Sequence, residues 1–284
     1  MNARLTSGPR AAVLAAALFA LCAPSVAAAQ EEENPYEHVS TSSRPSGWIV
    51  TVGAGAQAYP KYPGADDRGI FPMPIVGFRR AREPVPLEAP DEGFGFGLLG
   101  SDSPINIGPA VNFQRRRREE DVGAAVGEVG WTAELGGFVE AFLGENFRIR
   151  GEVRQAVNGH DGLVADLGAD LFARGDGDTV FSIGPRVRWA DNDYMDAYYG
   201  VTPAVAGTTG LAAFDPGSGI HAVGATAGMR LDVGGGFAIH GYARYDRLMN
   251  DAADSPIVTG FGSRHQWGGG LGLSYSFRVG GGRR

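Results

Sequence analysis

Cysteine is nearly missing from this 284-residue chain, which holds only Cys22. Disulfide frameworks and thiol chemistry are excluded for everything beyond it. Acidic residues are missing from residues 1–29, which carry Arg4 and Arg10, an apolar run from Ala11 to Leu21, Pro24, and the small-residue site Ala27-Ala28-Ala29. That layout predicts a secretory signal peptide cut after Ala29. The apolar run is shorter than the roughly 18 residues a membrane anchor needs, and Leu21 is not the small residue that precedes a lipidated cysteine. Cleavage removes Cys22, Arg4 and Arg10, and takes the formal charge from −7 to −9. Long apolar runs are also missing after residue 29, which argues against transmembrane helices. An acidic exported chain is a poor partner for nucleic acid.

What the chain does have is glycine, at 45 residues, and period-two alternation. Residues 30–46 (QEEENPYEHVSTSSRPS) read as an acidic, unstructured periplasmic linker. From Trp48 onward apolar and small residues alternate. Trp131 to Leu143 turns at Gly144-Glu145-Asn146 and returns from Phe147 to Val153. Leu163 to Leu171 turns at Gly175-Asp176-Gly177 and returns to Trp189. Val223 to Val233 turns at Gly234-Gly235-Gly236 and returns to Tyr245, and the last strand runs from Trp267 to Phe277.

Each hairpin has one apolar and one charged face. A soluble sandwich could produce this, but a bilayer-crossing strand needs about 9–11 tilted residues, whereas sandwich strands are usually shorter. The reading is an all-β protein, a transmembrane antiparallel up-and-down β-barrel over residues 47–277, with a short extension at 278–284. Counting Pro84–Ala89 and Phe94–Leu99 as strands gives about twelve; ten is the alternative, since those two are short and proline-rich.

Short turns belong in the periplasm and the longer connections 114–130, 155–162, 190–220 and 247–265 outside. "NDYMDAYYGVT", residues 192–202, fits neither strand alternation nor an amphipathic helix. It is expected as a structured external loop, with Tyr198 and Tyr199 over the barrel mouth or at the lipid interface.

"YPKYPGADDRGIFPMPIVGF" (59–78), "QAVNGHDGLVADLGADL" (155–171), "SIGPRVRWADNDYMDAYYGVTPA" (182–204) and "DAADSPIVTGFGSRHQWGGGLGLSYSF" (251–277) together resemble the MipA/OmpV family over nearly the whole mature chain. The resemblance implies an outer-membrane β-barrel in a Gram-negative bacterium. From the founding member it implies a scaffold joining a lytic transglycosylase to a bifunctional penicillin-binding protein; other members are surface antigens or adhesins. Arg278 to Arg284 follow the final aromatic Phe277, where the family's barrel usually ends.

The charged face carries Glu134, Glu140, Arg148, Arg150, Glu152, Arg154, Asp166, Asp170, Arg186, Arg188, Arg230, Asp232, Arg244 and Asp246. Enclosed charges are costly unless paired, so a lumen filled with cross-strand ion pairs is expected, with a small ion-selective or solute channel as the alternative. Trp48, Trp131, Trp189 and Tyr275 are expected as interface aromatics. Arg115, Arg116, Arg117 and Arg118 meet an outer loop, where guanidinium forks suit lipopolysaccharide phosphates; the competing reading is neutralisation by Glu119, Glu120 and Asp121. Hydrolysis would need a nucleophile with a base in reach. The suggestive pairs, His160-Asp161, His221 near Ser218 and His265 near Ser263, lie in loops or strand ends, so no enzyme is expected. Asp191, Asn192, Asp193 and Asp196 lack the glycine and distal glutamate of a calcium loop, and no metal or cofactor is expected.

Overall fold

The computed structural model describes residues 47–100 and 103–280. The expected signal peptide with Cys22, the linker 30–46 and residues 281–284 lie outside the described residues. Ten strands of ten or more residues form the wall: β1 Trp48–Pro60, β2 Arg68–Arg80, β4 Ile105–Gln114, β5 Thr132–Leu143, β6 Phe147–Ala156, β7 Leu163–Arg174, β8 Val180–Ala190, β9 Gly219–Gly234, β10 Phe237–Leu248 and β11 His265–Val279. An eleventh, β3, is the two-residue Phe94–Gly95. All pair antiparallel in the order β2-β1-β11-β10-β9-β8-β7-β6-β5-β4-β3. The sheet thus curls from β2 round to β3.

Alternation explains the wall. Leu135, Val139, Ile149, Val153, Leu167, Leu171, Ile183 and Leu271 are exposed on the outer face, while Glu134, Arg148, Glu152 and Asp170 of neighbouring strands are buried on the inner one. Among the described residues no helix is long and apolar enough to cross a membrane; the strands supply the length. The β9–β10 turn requires glycine, since Gly234, Gly235 and Gly236 have φ of 84°, 63° and 86°, a region L-residues rarely enter. At β1 a Cβ on Gly55 would come within 2.2 Å of the Leu271 carbonyl oxygen, so glycine there permits the tight curl.

The twelve-strand count is corrected. Residues 84–89 form no strand, because Pro84 and Pro86 cannot donate to a ladder and the acids that follow are drawn into the lumen. The other segment, Phe94–Leu99, keeps only β3, so eleven strands are described, between the two counts. The last strand runs two residues past Phe277, pairing Arg278 with Ile49 and Val279 with Trp48.

The apolar core sits at the long-loop end of the sheet. There lie five helices: α1 Glu119–Val122, α2 Asn192–Tyr199, α3 Pro203–Thr209, α4 Asn250–Asp254 and α5 Pro256–Phe261. The segment expected as a loop is therefore mostly a helix. Asp191 caps it by accepting from the Tyr194 amide at 3.1 Å, as N-cap aspartates do. Its Tyr194, Met195, Tyr198 and Tyr199, spaced i, i+1, i+4 and i+5, are all buried against Ala222, Leu248, Ala252 and Val258. The expectation that Tyr198 and Tyr199 cover the mouth is met.

Candidate functional site

Strand register places the charges. Ladder partners include Glu140 with Arg150, Arg148 with Asp170, Glu152 with Asp166, and Asp166 with Arg188. On the inner face these pairs become a continuous network. Arg148 donates to Glu140 at 3.1 Å and Asp170 at 2.9 Å. Arg150 reaches Glu140 at 3.2 Å and Glu152 at 2.7 Å. Arg154 spans Glu134 at 2.8 Å and Asp166 at 2.7 Å, and also meets Glu152. Arg188 holds Asp166 at 3.0 Å and Asp246 at 3.1 Å, and Arg244 pairs with Asp246. Shared, multiply bonded carboxylates are what make buried guanidiniums tolerable.

Residues 81–93 complete the network from inside. Arg148 donates to the Leu87 carbonyl at 2.9 Å and to Glu92. Asp91 takes Arg186 at 2.9 Å and Arg188 at 2.9 Å, and Asp170 holds the same Arg186 at 2.8 Å. A cavity of about 30 Å³ is left among Asp91, Glu92, Arg150, Arg154, Arg186 and Arg188, enough for one or two waters. Sequence reasoning missed Asp91 and Glu92. A proline-rich stretch between strands gave no sign that it folds back into the lumen.

Of the fourteen expected lumen charges, Arg230 and Asp232 stand apart. Arg230 donates to the Asp178 carbonyl and Asp232 accepts from the Asp178 and Gly234 amides, all at the short-turn end. The charge is also unevenly spread. The inward positions of β1 (Thr51, Gly53, Gly55, Gln57) and of β11 (Gly268, Gly270, Gly272, Ser274) are uncharged.

The long-loop end carries a second cluster, of aromatic rings and histidines. His160 is buried, with Nε2 at 3.1 Å from Glu134 and Nδ1 accepting from the Gly162 amide at 3.1 Å. Its ring meets Tyr194 edge-on at 4.9 Å. Tyr198 donates to Gln114 at 3.2 Å. Burial pushes the hydroxyls of Tyr194, Tyr198 and Tyr199 well above their ordinary range. The His265 ring bonds the Tyr245 hydroxyl at 2.8 Å, and its link to Ser263 is made by the His265 backbone amide, which donates to Ser263 Oγ at 3.1 Å, not by the imidazole.

The four-arginine run divides. Arg117 is 3% exposed, donating to the carbonyls of Tyr198 at 3.0 Å and Gly127 at 3.2 Å, with burial lowering its basicity. Arg118 pairs with Glu120 at 2.8 Å. Of the four arginines read as either a lipopolysaccharide contact or a neutralised cluster, Arg117 does neither: it is buried beside its bridge to Val129 and anchors the cap. Arg115 and Arg116 stay exposed. Trp48 and Tyr275 are exposed at the short-turn end and Trp131 at the long-loop end; Trp189, also at the long-loop end, is half-buried.

Solved structures similar to this one include distant outer-membrane proteins. An outer membrane channel from Pseudomonas putida F1 shares 11% identity at a TM-score of 0.42, covering 87% of this chain and 100% of that one. The outer membrane protein OprG from Pseudomonas aeruginosa shares 9% identity at 0.28, covering 83% and 98%. No curated protein sequence matches the chain. The family model described as MltA-interacting protein MipA matches residues 52–277, nearly the whole described wall with its cap. This outer-membrane β-barrel chain belongs to the MipA family.

Proposed function

We propose that the protein is a structural platform of the outer membrane, which holds a lytic transglycosylase, and through it a penicillin-binding protein, at the periplasmic face. The family description names the first partner. One observation carries the reading: the charged side of the lumen is consumed by its own ion pairs and by residues 81–93. The groups that would bind or select a solute are thus already bound to each other, and the surfaces left for function are the rims. The short turns at 144–146, 175–179 and 234–236 form the periplasmic rim.

The test is a pull-down from detergent-solubilised envelope with the mature protein and with a variant lacking residues 30–46, read by mass spectrometry. Recovery of a lytic transglycosylase supports the platform, and its loss with the deletion places the contact. Recovery of the insertion machinery alone rejects it. A narrow channel is the second reading, favoured by the solvent exposure of Pro84, Pro86 and Glu88 within the segment anchored in the lumen. Ion-selective conductance steps in a planar bilayer, altered by Arg186→Ala or Arg188→Ala, would support it. A surface adhesin, the third sequence-based alternative, predicts that deleting residues 205–218 abolishes surface binding and leaves periplasmic partners untouched.

A further inference from the structure

One junction in the wall is not joined by a ladder among the described residues: the seam between β2 and β3, the two edges of the sheet. Open sheet edges are not tolerated in hydrocarbon, because their amides and carbonyls find no partner. This edge, however, is built to do without a strand. β2 pairs with β1 from Trp48–Arg80 to Pro60–Arg68 with no register shift, with Pro72 opposite Ala56 and Pro74 opposite Ala54. Proline has no N–H to give. In an unbroken ladder both must sit where the backbone edge faces away from β1, into the seam. The Pro72 carbonyl is already served by Gln57 Nε2 at 3.1 Å, and Gln57 Oε1 accepts the Tyr242 hydroxyl at 2.6 Å.

The facing side repeats the device. Pro109 in β4 lies opposite Gly137 of β5 in an unbroken ladder, so its nitrogen points toward β3. Pairing of β3 with β4, present at Phe94–Val111 and Gly95–Ala110, lapses at that proline and returns only as a Leu98 amide to Ile107 carbonyl bond of 2.9 Å. An added strand, from a peptide or from a second copy, could not complete a ladder here.

What the seam does offer is apolar surface with cationic charge at one end. Ile70, Val76 and Phe78 on β2 and Phe94, Phe96 and Leu98 around β3 are all more than half exposed, Ile70 reaching 81%. At the long-loop end stand Arg68, the first residue of β2, and Arg115 and Arg116, just past β4. The Arg115 guanidinium lies 3.6 Å from the centre of the Phe71 ring, tying the end of β4 to β2. Among the described residues none of these three arginines makes an ion pair, although their neighbours Lys61 and Arg118 do. The long-loop end of an outer-membrane barrel meets the outer leaflet.

We infer that the seam is a binding site for an anionic, acylated lipid of the outer leaflet. Its phosphate is held by Arg115, Arg116 and Arg68, and one acyl chain lies along the seam over Val76 and Phe96. A phosphate suits forked guanidiniums, and an acyl chain asks no hydrogen bond of an edge whose ladder is interrupted at Pro72 and Pro74. The site is independent of the periplasmic platform and stands or falls separately from it.

Because Cys22 is the chain's only cysteine and leaves with the predicted signal peptide, single reporters are simple to place. V76C at the seam and L167C on the far wall are labelled with bimane in phosphatidylethanolamine vesicles. Small mole fractions of brominated-chain phosphatidylglycerol, or of brominated-chain phosphatidylethanolamine, are then added as quencher. The expected result is at least threefold stronger quenching at V76C than at L167C by the phosphatidylglycerol alone, abolished by R115A/R116A.

Equal quenching at both positions would overturn the site, as would a preference that survives R115A/R116A. Disulfide-linked V76C dimers without lipid preference would assign the edge to a second copy and overturn it as well. Folding is checked by heat-dependent gel mobility, with I70C and R115Q/R116Q as replacements should a variant fail to fold.

Discussion

Arg148→Ala is the sharpest perturbation of the lumen. The side chain is 1% exposed. It donates to the Leu87 carbonyl at 2.9 Å, to Glu140 at 3.1 Å, to Asp170 at 2.9 Å and to Glu92. Its removal leaves three carboxylates around the space of a departed cation, and breaking a buried ion pair from one side costs about 3–5 kcal/mol. The folding equilibrium constant should fall by roughly two to three and a half decades, measured by urea unfolding of the vesicle-inserted barrel followed by tryptophan fluorescence. Two of the anchors of residues 81–93 go with it, so limited proteolysis should cut between 84 and 93 in the variant and not in the parent. Arg148→Met, which keeps most of the volume, should be nearly as unstable if charge rather than packing carries the loss. A variant within about 1 kcal/mol of the parent, with the segment still resistant, would refute the claim that this network holds the lumen.

Two further outcomes test the cap. Asp191→Ala removes the N-cap of α2 and should cost about 1 kcal/mol, seen as faster amide exchange over 192–199 with the wall strands unchanged; equal loss of protection in the wall would show that cap and barrel open together. Burial holds the Tyr194, Tyr198 and Tyr199 hydroxyls above the ordinary value of 10.0, so their protons are bound more tightly folded than unfolded. The cap should therefore keep its full stability below that pH and lose it as pH rises further, with tyrosinate absorbance appearing as amide protection of 192–199 is lost. Titration of all three at the ordinary value, with α2 still protected, would contradict their burial.

The wall was legible in the sequence because its information is local. Three hairpins announce themselves by alternation and by turns at 144–146, 175–177 and 234–236, and the inward parity of Arg148, Glu152, Asp166 and Arg188 follows from pairing alone. The cap was not. Tyr194 and Tyr198 share a helix face, but α2 is only eight residues long, and its stability comes from α4, α5 and β9, more than twenty residues away in sequence. The same holds for Asp91 and Glu92. Nothing near them distinguishes a lumen ligand from a solvated turn, and their partners are supplied by two later strands, β6 and β8. Arg117 looked like one of four equal arginines, and only the bridge to Val129 singles it out.

Those distances along the chain have a consequence for how the molecule assembles. Glu92 meets Arg148 56 positions later, and Asp91 meets Arg186 and Arg188 after 95 and 97. Residues 81–93 are made early and seated late, since their sockets exist only once β6, β7 and β8 have paired. Long-range closures of this kind are slow because chain entropy is spent before the contacts form. The wall must therefore be laid around a segment of its own chain, and the ion pairs that fill the lumen act as a latch on assembly, set only after the hairpins beneath them are in register.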